Sequence, residues 1–217
     1  CLKISATSSF LVRDNKQYIL AGYPWFNVRA RDTFVALPGS TLIIGEEGEF
    51  DKIMAPAVEA LEKYMKEQTK DRMILEIEDP DIPLWAVWTV QQYAKYTTKE
   101  KAVKKYGKLV QDVIDYVMQG KAPNLELRNN GLVYSEGSDK AISWMNTTEF
   151  GRPLIPRTGY LVEFNALWYN ALKFAMEICT DKAKLDDMTV VAEKYEANFA
   201  KVFTTPAGYL YDYVSDS

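Results

Sequence analysis

The stretch FDKIMAPAVEALEKYM, Phe50 to Met65, sets Phe50, Ile53, Met54, Ala57, Ala60, Leu61, Tyr64 and Met65 at three-and-four spacing, with Lys52, Glu59, Glu62 and Lys63 outside that stripe. Apolar residues at this period line one face of an α-helix, so the segment predicts an amphipathic helix lying between a core and water. Val103, Tyr106, Val110, Val113 and Val117 repeat the pattern after Thr97-Thr98-Lys99-Glu100, whose Thr and Glu spacing fits a capping box. Met188, Ala192, Tyr195, Phe199 and Val202 make a third stripe. Alternating with these, Asp32 to Gly45, Ile82 to Tyr96 and Leu161 to Cys179 are apolar around most of their circumference, as buried helices are. The order is therefore inner, outer, inner, outer, inner, outer. Antiparallel hairpins of that kind predict an all-α fold of the α/α-toroid type, here as one domain.

The connections are the other half of the pattern. Gln119 to Tyr160 is long and rich in Gly, Asn and Pro, and long loops tend to carry function. Within it, Gly131 to Ser135 and Lys140 to Trp144 read as short extended pieces. Gly208 to Ser217, GYLYDYVSDS, lacks a helical period and reads as a further loop.

Composition removes several function classes. The 217 residues are 47% hydrophobic, enough for a substantial core, and the formal net charge is −4. Nucleic-acid binding needs clustered Lys and Arg, and the densest run, Lys99 to Lys108, reads as a solvated helix face. No apolar run reaches the ~20 residues that span a bilayer, so no membrane partner is expected and a cytoplasmic protein is. The two cysteines, Cys1 and Cys179, give no disulfide framework, and Cys179 is expected to pack as a small hydrophobe. Asn146-Thr147-Thr148 forms a glycosylation sequon, which has meaning only in a secreted chain. The chain contains no histidine. Ser-His-Asp and Cys-His catalysis and His-ligated metals are thereby excluded, and any chemistry must run on carboxylates. No phosphate loop, Cys-x-x-Cys pair or calcium loop is present, so no cofactor is implied.

Three segments carry polar and aromatic groups together: AGYPWFNVRARDTFVALPG (Ala21 to Gly39), IPLWAVWTVQQYAKY (Ile82 to Tyr96) and ISWMNTTEFGRPLIPRTGYLVEFNALWYNAL (Ile142 to Leu172). All five tryptophans, Trp25, Trp85, Trp88, Trp144 and Trp168, lie in them. In this order the segments resemble the amylo-α-1,6-glucosidase domain of glycogen debranching enzymes. The resemblance implies an (α/α)6 barrel, of which this chain would be about the first half. It also implies hydrolysis of α-1,6-glucosidic branch points in glycogen-like glucans by an inverting, two-carboxylate mechanism, with an α-glucan oligosaccharide or glycogen as partner. An uncovered half toroid would leave apolar inner-helix surface, so a homodimer through exposed apolar helix faces is expected.

The same resemblance assigns roles. The general acid falls on Asn146 of Trp144-Met145-Asn146, where an amide cannot supply a proton, and the neighbouring Glu149 is the local substitute. The second catalytic carboxylate would lie beyond Ser217. Arg31 and Asp32 would hold hydroxyls of the cleaved sugar, while the residues alone also permit Asp32 as a helix N-cap with Arg31 as its ion-pair partner. Glu163, the retained catalytic carboxylate, and Asn165, a sugar-binding residue, would open an inner helix whose start faces the funnel, and Arg157, also at the sugar, would orient Glu163. Trp25 and Trp144 follow turns beside polar residues and are the candidate sugar platforms, whereas Trp85, Trp88 and Trp168 read as core. Asp79 and Asp81, ahead of Pro83, read first as caps and second as site residues. Two other readings stay open: a glucan-binding relative that has lost catalysis, and a helical interaction scaffold without a sugar site.

Overall fold

The computed structural model describes residues 2–137 and 139–215. Seven α-helices dominate the described residues, and the chain divides into two compact units, Cys1–Leu109 and Val110–Ser217, with the division falling inside a helix. The fold is mostly helical, with small strand pairs that the all-α expectation lacked.

In the first unit, α1 (Leu2–Thr7) leads into a hairpin of β1 (Phe10–Arg13) and β2 (Lys16–Ile19), paired from Phe10↔Ile19 to Arg13↔Lys16. Asp14 and Asn15 both take positive φ between the strands, the geometry that the right-handed twist of a two-residue hairpin demands. Then follow α2 (Ala30–Ser40), α3 (Glu47–Glu67), α4 (Ile82–Tyr96) and the first part of α5 (Lys99–Met118). The predicted helix Asp32 to Gly45 is in fact two pieces. The α2 helix ends at Ser40, Thr41 turns its hydroxyl back onto the Leu37 carbonyl, and a 3-10 turn over Leu42–Ile44 closes on Gly45 at φ 77°. The α3 stripe buries Phe50, Ile53, Met54, Ala57, Ala60, Leu61 and Tyr64, and Phe50 stacks on Tyr93 of α4 at 4.9 Å. On α4, Thr89 donates to the Phe34 carbonyl, which locks α4 to α2.

Two local readings need correcting here. Thr98, not Thr97, caps α5, its hydroxyl accepting the Lys101 amide, while Thr97 terminates α4. The buried face of α5 runs through Ala102, Leu109, Val110, Val113, Ile114 and Val117, and Val103 points out.

The second unit holds the rest of α5, then α6 (Val162–Ile178) and α7 (Lys182–Phe203), with four short pieces of strand before α6 besides the one that leads into it. These are β3 (Glu126–Leu127) paired with β4 (Val133–Tyr134), and β5 (Thr148–Glu149) paired with β6 (Arg152–Pro153). The strand β7 (Tyr160–Leu161) runs straight into α6 and pairs with β8 (Tyr213–Val214). Of the two extended pieces expected, Gly131 to Ser135 contains β4, but Lys140 to Trp144 forms no strand. Gly208 to Ser217 is not simply a loop, since Tyr213 and Val214 join the sheet; Asp216 and Ser217 lie outside the described residues. Cys179 ends α6 half-exposed, its thiol on the Asp181 carbonyl, and so does not pack as a core residue. Asp181 caps α7 through the Lys184 amide.

Trp168 is fully buried on α6 and donates its indole N–H to the Gly131 carbonyl. Gly131 takes φ 84°, and a Cβ there would lie 2.5 Å from the Tyr195 nitrogen and 2.8 Å from the Val191 oxygen of α7. Backbone therefore touches backbone at this point, which only glycine permits. Gly131→Ala is expected to destabilise the protein by about 2–4 kcal/mol, from backbone strain plus displacement of α7. Urea unfolding monitored by Trp fluorescence measures it, and a change below ~0.5 kcal/mol would show that the contact yields freely.

Candidate active site

Two of the sequence-selected residues, Arg31 and Arg157, are buried arginines that each gather carboxylates, one in each unit. In the first unit Arg31, in the first turn of α2, is only 7% exposed. Its Nε and Nη2 donate to Asp81 Oδ2 and Oδ1, both at 2.8 Å, and Nη2 also donates to Asp79 Oδ2 at 2.7 Å. Asp81 receives a further bond, from Trp85 Nε1 at 3.0 Å. Asp81 therefore spends its carboxylate on Arg31 and Trp85, with no side-chain cap bond to α4. Asp32 is neither N-cap nor partner of Arg31: the capping position is Arg29, and Asp32 sits half-buried inside the first turn. Trp85 is half-buried, not core, and packs edge-on to Trp88 at 5.5 Å.

Burial works to lower the Arg31 pKa, but Asp81 and Asp79 outweigh it and hold it above the ordinary arginine value. One guanidinium then faces two carboxylates, and the less tightly held one bears the excess. Burial, opposed by Arg31 and reinforced by Asp81 and Glu76, pushes Asp79 up to about 6.

In the second unit, Arg157 is buried, its side chain 2% exposed. It grips Glu163 with two bonds, Nη1 to Oε1 at 2.5 Å and Nη2 to Oε2 at 2.8 Å. Nη1 also reaches Ser143 Oγ at 3.1 Å, and Nη2 reaches Asp212 Oδ1 at 2.8 Å. Burial opposes the charge, yet Glu163 and Asp212 prevail and hold the Arg157 pKa above its usual value. Glu163 stands in the first turn of α6, where unpaired backbone amides favour a carboxylate.

Asn165 is fully buried, and its amide is committed: Nδ2 to the Val133 and Leu161 carbonyls, Oδ1 to the Val133 amide. It fastens β4 to the start of α6 and has no surface for a sugar, which corrects its assignment as a binding residue. Asn146 is half-buried, its backbone amide on the Trp144 carbonyl. Glu149 is exposed in β5. Trp144 and Trp25 are open to solvent, Trp25 at 83%, on a turn in which Gly22 accepts the Trp25 and Phe26 amides. Among the described residues no group of three or more His, Cys, Asp or Glu is arranged to hold a metal ion, and no helix is long and apolar enough to cross a membrane.

The model of the amylo-alpha-1,6-glucosidase family matches residues 5–217. The chain belongs to that family. None of the curated proteins compared matches it. The match takes in all three motif segments, so Arg31, Arg157 and Glu163 sit within the amylo-alpha-1,6-glucosidase region.

Sequence reading missed Asp212 and Ser143, and named Asp79 and Asp81 without their partner. The Arg31 contacts span 48 and 50 residues, and Arg157 to Asp212 spans 55. No local spacing encodes such pairs.

Asp79 carries a pH signature. An unfolded Asp titrates near 3.9 and the folded one about 6, so folding takes up a proton between those values. Its contribution to stability is full below pH ~4, falls as pH rises through 6, and is level above that. Asp79→Asn is expected to remove this falling limb, leaving Arg31 bidentate on Asp81. Urea unfolding at pH 4 to 7 tests it, and an unchanged slope would place the titration elsewhere.

Proposed function

We propose that the chain is part of a glycoside hydrolase of glycogen-debranching type, one that removes the α-1,6-linked glucosyl residue of a glucan branch point. In this reading the chain supplies about half of an α/α toroid. Inverting hydrolysis breaks the C1–O6 bond, adds a water oxygen to C1 from the opposite face, passes one water proton to a base and delivers an acid's proton to O6. The transition state resembles an oxocarbenium ion, so residual negative charge beside C1 stabilises it.

The observation that carries the reading is Glu163, a part-exposed carboxylate at a helix start inside the family block, held on both oxygens by Arg157. Two carboxylates against one guanidinium leave net negative charge there. Glu163 Oε2 and Asp212 Oδ1 both lie 2.8 Å from Arg157 Nη2, so those oxygens are closer together than the ~6.5–9.5 Å that an inverting acid–base pair needs. Glu163 is thus assigned to holding sugar hydroxyls and the developing charge, with Asp212 not its catalytic counterpart. Trp144, exposed in the same unit, supplies a stacking face.

Release of glucose from a singly branched dextrin by the full-length protein is the test, with Glu163→Gln expected to lower kcat/KM about 100-fold or more. Equal rates in the two proteins would remove Glu163 from the site.

Asn146 favours a second reading, a glucan-binding relative that has lost catalysis, because an amide stands at the position to which the resemblance assigns the acid. Asn146→Asp in the full-length protein separates the two. A gain of about 100-fold or more supports lost catalysis. An already active protein with no gain places the acid elsewhere, Glu149 being the nearest carboxyl.

A further inference from the structure

We propose that Asp212 is a positioning residue for Glu163, acting through Arg157; this rests on the reading of Glu163 as a site carboxylate. A guanidinium and a carboxylate joined by two parallel bonds form a stiff plate, but the plate can swing as one body unless something outside it holds on. Arg157 Nε is buried and has no hydrogen-bond partner, so no hydrogen bond restrains the fork at its stem. The restraint comes from the far edge. Ser143 holds Nη1, and Asp212 holds Nη2 through both Oδ1 at 2.8 Å and its own carbonyl at 3.4 Å. Of these two partners only Asp212 brings charge, which offsets part of the cost of desolvating the guanidinium.

Asp212 is itself anchored to the element that carries Glu163. Its carbonyl accepts the amide of Val162, the first residue of α6, and the next residue, Tyr213, pairs with Leu161. Two residues before Leu161, Gly159 at φ 131° lets the chain approach so closely that a Cβ would stand 2.1 Å from the Val214 oxygen. The brace and the braced residue are therefore fixed to the same helix start, and the guanidinium closes the ring between them. Asp212 is 53% exposed against 23% for Glu163, so the assembly opens to solvent on its carboxylate side.

The experiment compares Asp212→Ala and Asp212→Asn in the full-length protein on a singly branched dextrin. Loss of the brace should lower kcat about 10- to 100-fold with KM within about threefold, because misorientation is felt in the transition state. D212N keeps an acceptor oxygen for Nη2 and should recover activity to within about threefold of wild type. Unchanged kcat per folded molecule with lowered thermal stability would make Asp212 merely structural, and raised KM at unchanged kcat would make it a direct sugar contact. Either overturns the proposal. The crystal structure of D212A gives a readout free of turnover: Glu163 and Arg157 should be displaced together, and retention of their wild-type positions overturns the proposal. Absence of glucose release by the wild type, with that displacement present, would sink the glucosidase reading and leave the brace standing.

Discussion

An arginine removed from water must be surrounded by acceptors, and that constraint organises both units. A guanidinium cannot discharge at ordinary pH, so burial is tolerable only where carboxylates replace the lost hydration. Arg31 recruits Asp79 and Asp81, and Arg157 recruits Glu163 and Asp212. In each case the recruited residues come from separate stretches of chain, so satisfying one charge also decides which loops meet. The first cluster draws the segment before α4 onto the first turn of α2. The second draws the stretch around β8 onto the start of α6. Removing Arg31 would strand nearly buried carboxylates, and removing either arginine would dissolve a loop junction.

The two clusters share a plan and differ in access. Asp79 and Asp81 are nearly enclosed, at 14% and 2% exposure, and Trp85 closes over Asp81. Excess negative charge there has no solvent to spread into, and it appears as the raised pKa of Asp79. Glu163 and Asp212 instead keep part of their surface in water. A carboxylate that is held firmly on one side and open on the other is suited to a polyol, which offers donors without charge.

Periodicity located the helices well, and α4 agrees with its expected bounds residue for residue. Helix formation is governed by neighbours three and four apart, which a linear reading sees directly. The failures are of another kind. Thr41 ended α2 through a bond to Leu37 that competes with further helix, and β7 with β8 joined positions more than fifty residues apart. Val103 was placed on the buried face by its chemistry alone, although Leu109 and Val113 set that face a step away. The motif segments contain Arg31, Arg157 and Glu163, and Arg31 pairs with Asp81, adjacent in space, rather than with Asp32, adjacent in sequence. Asn165 was misread for a related reason: a polar side chain at a helix start can serve backbone as readily as substrate, and only burial tells which.

That distinction bears on how a site of this kind is read at all. The polar residues of the α6 entrance divide between those whose donors and acceptors are exhausted within the protein and those with capacity left. Asn165 is exhausted, since both amide hydrogens and the carbonyl oxygen are bonded and no surface remains. Arg157 is nearly so: all its near partners are protein groups, and its unbonded Nε faces no solvent. Glu163 and Asp212 each have further lone pairs together with exposed surface. In the proposed reading ligand contact belongs to Glu163, and orientation to Arg157 with Asp212 behind it. The motif that marks this stretch in sequence, Arg157 six residues before Glu163, records the orienting half of a device whose other half, Asp212, lies far along the chain.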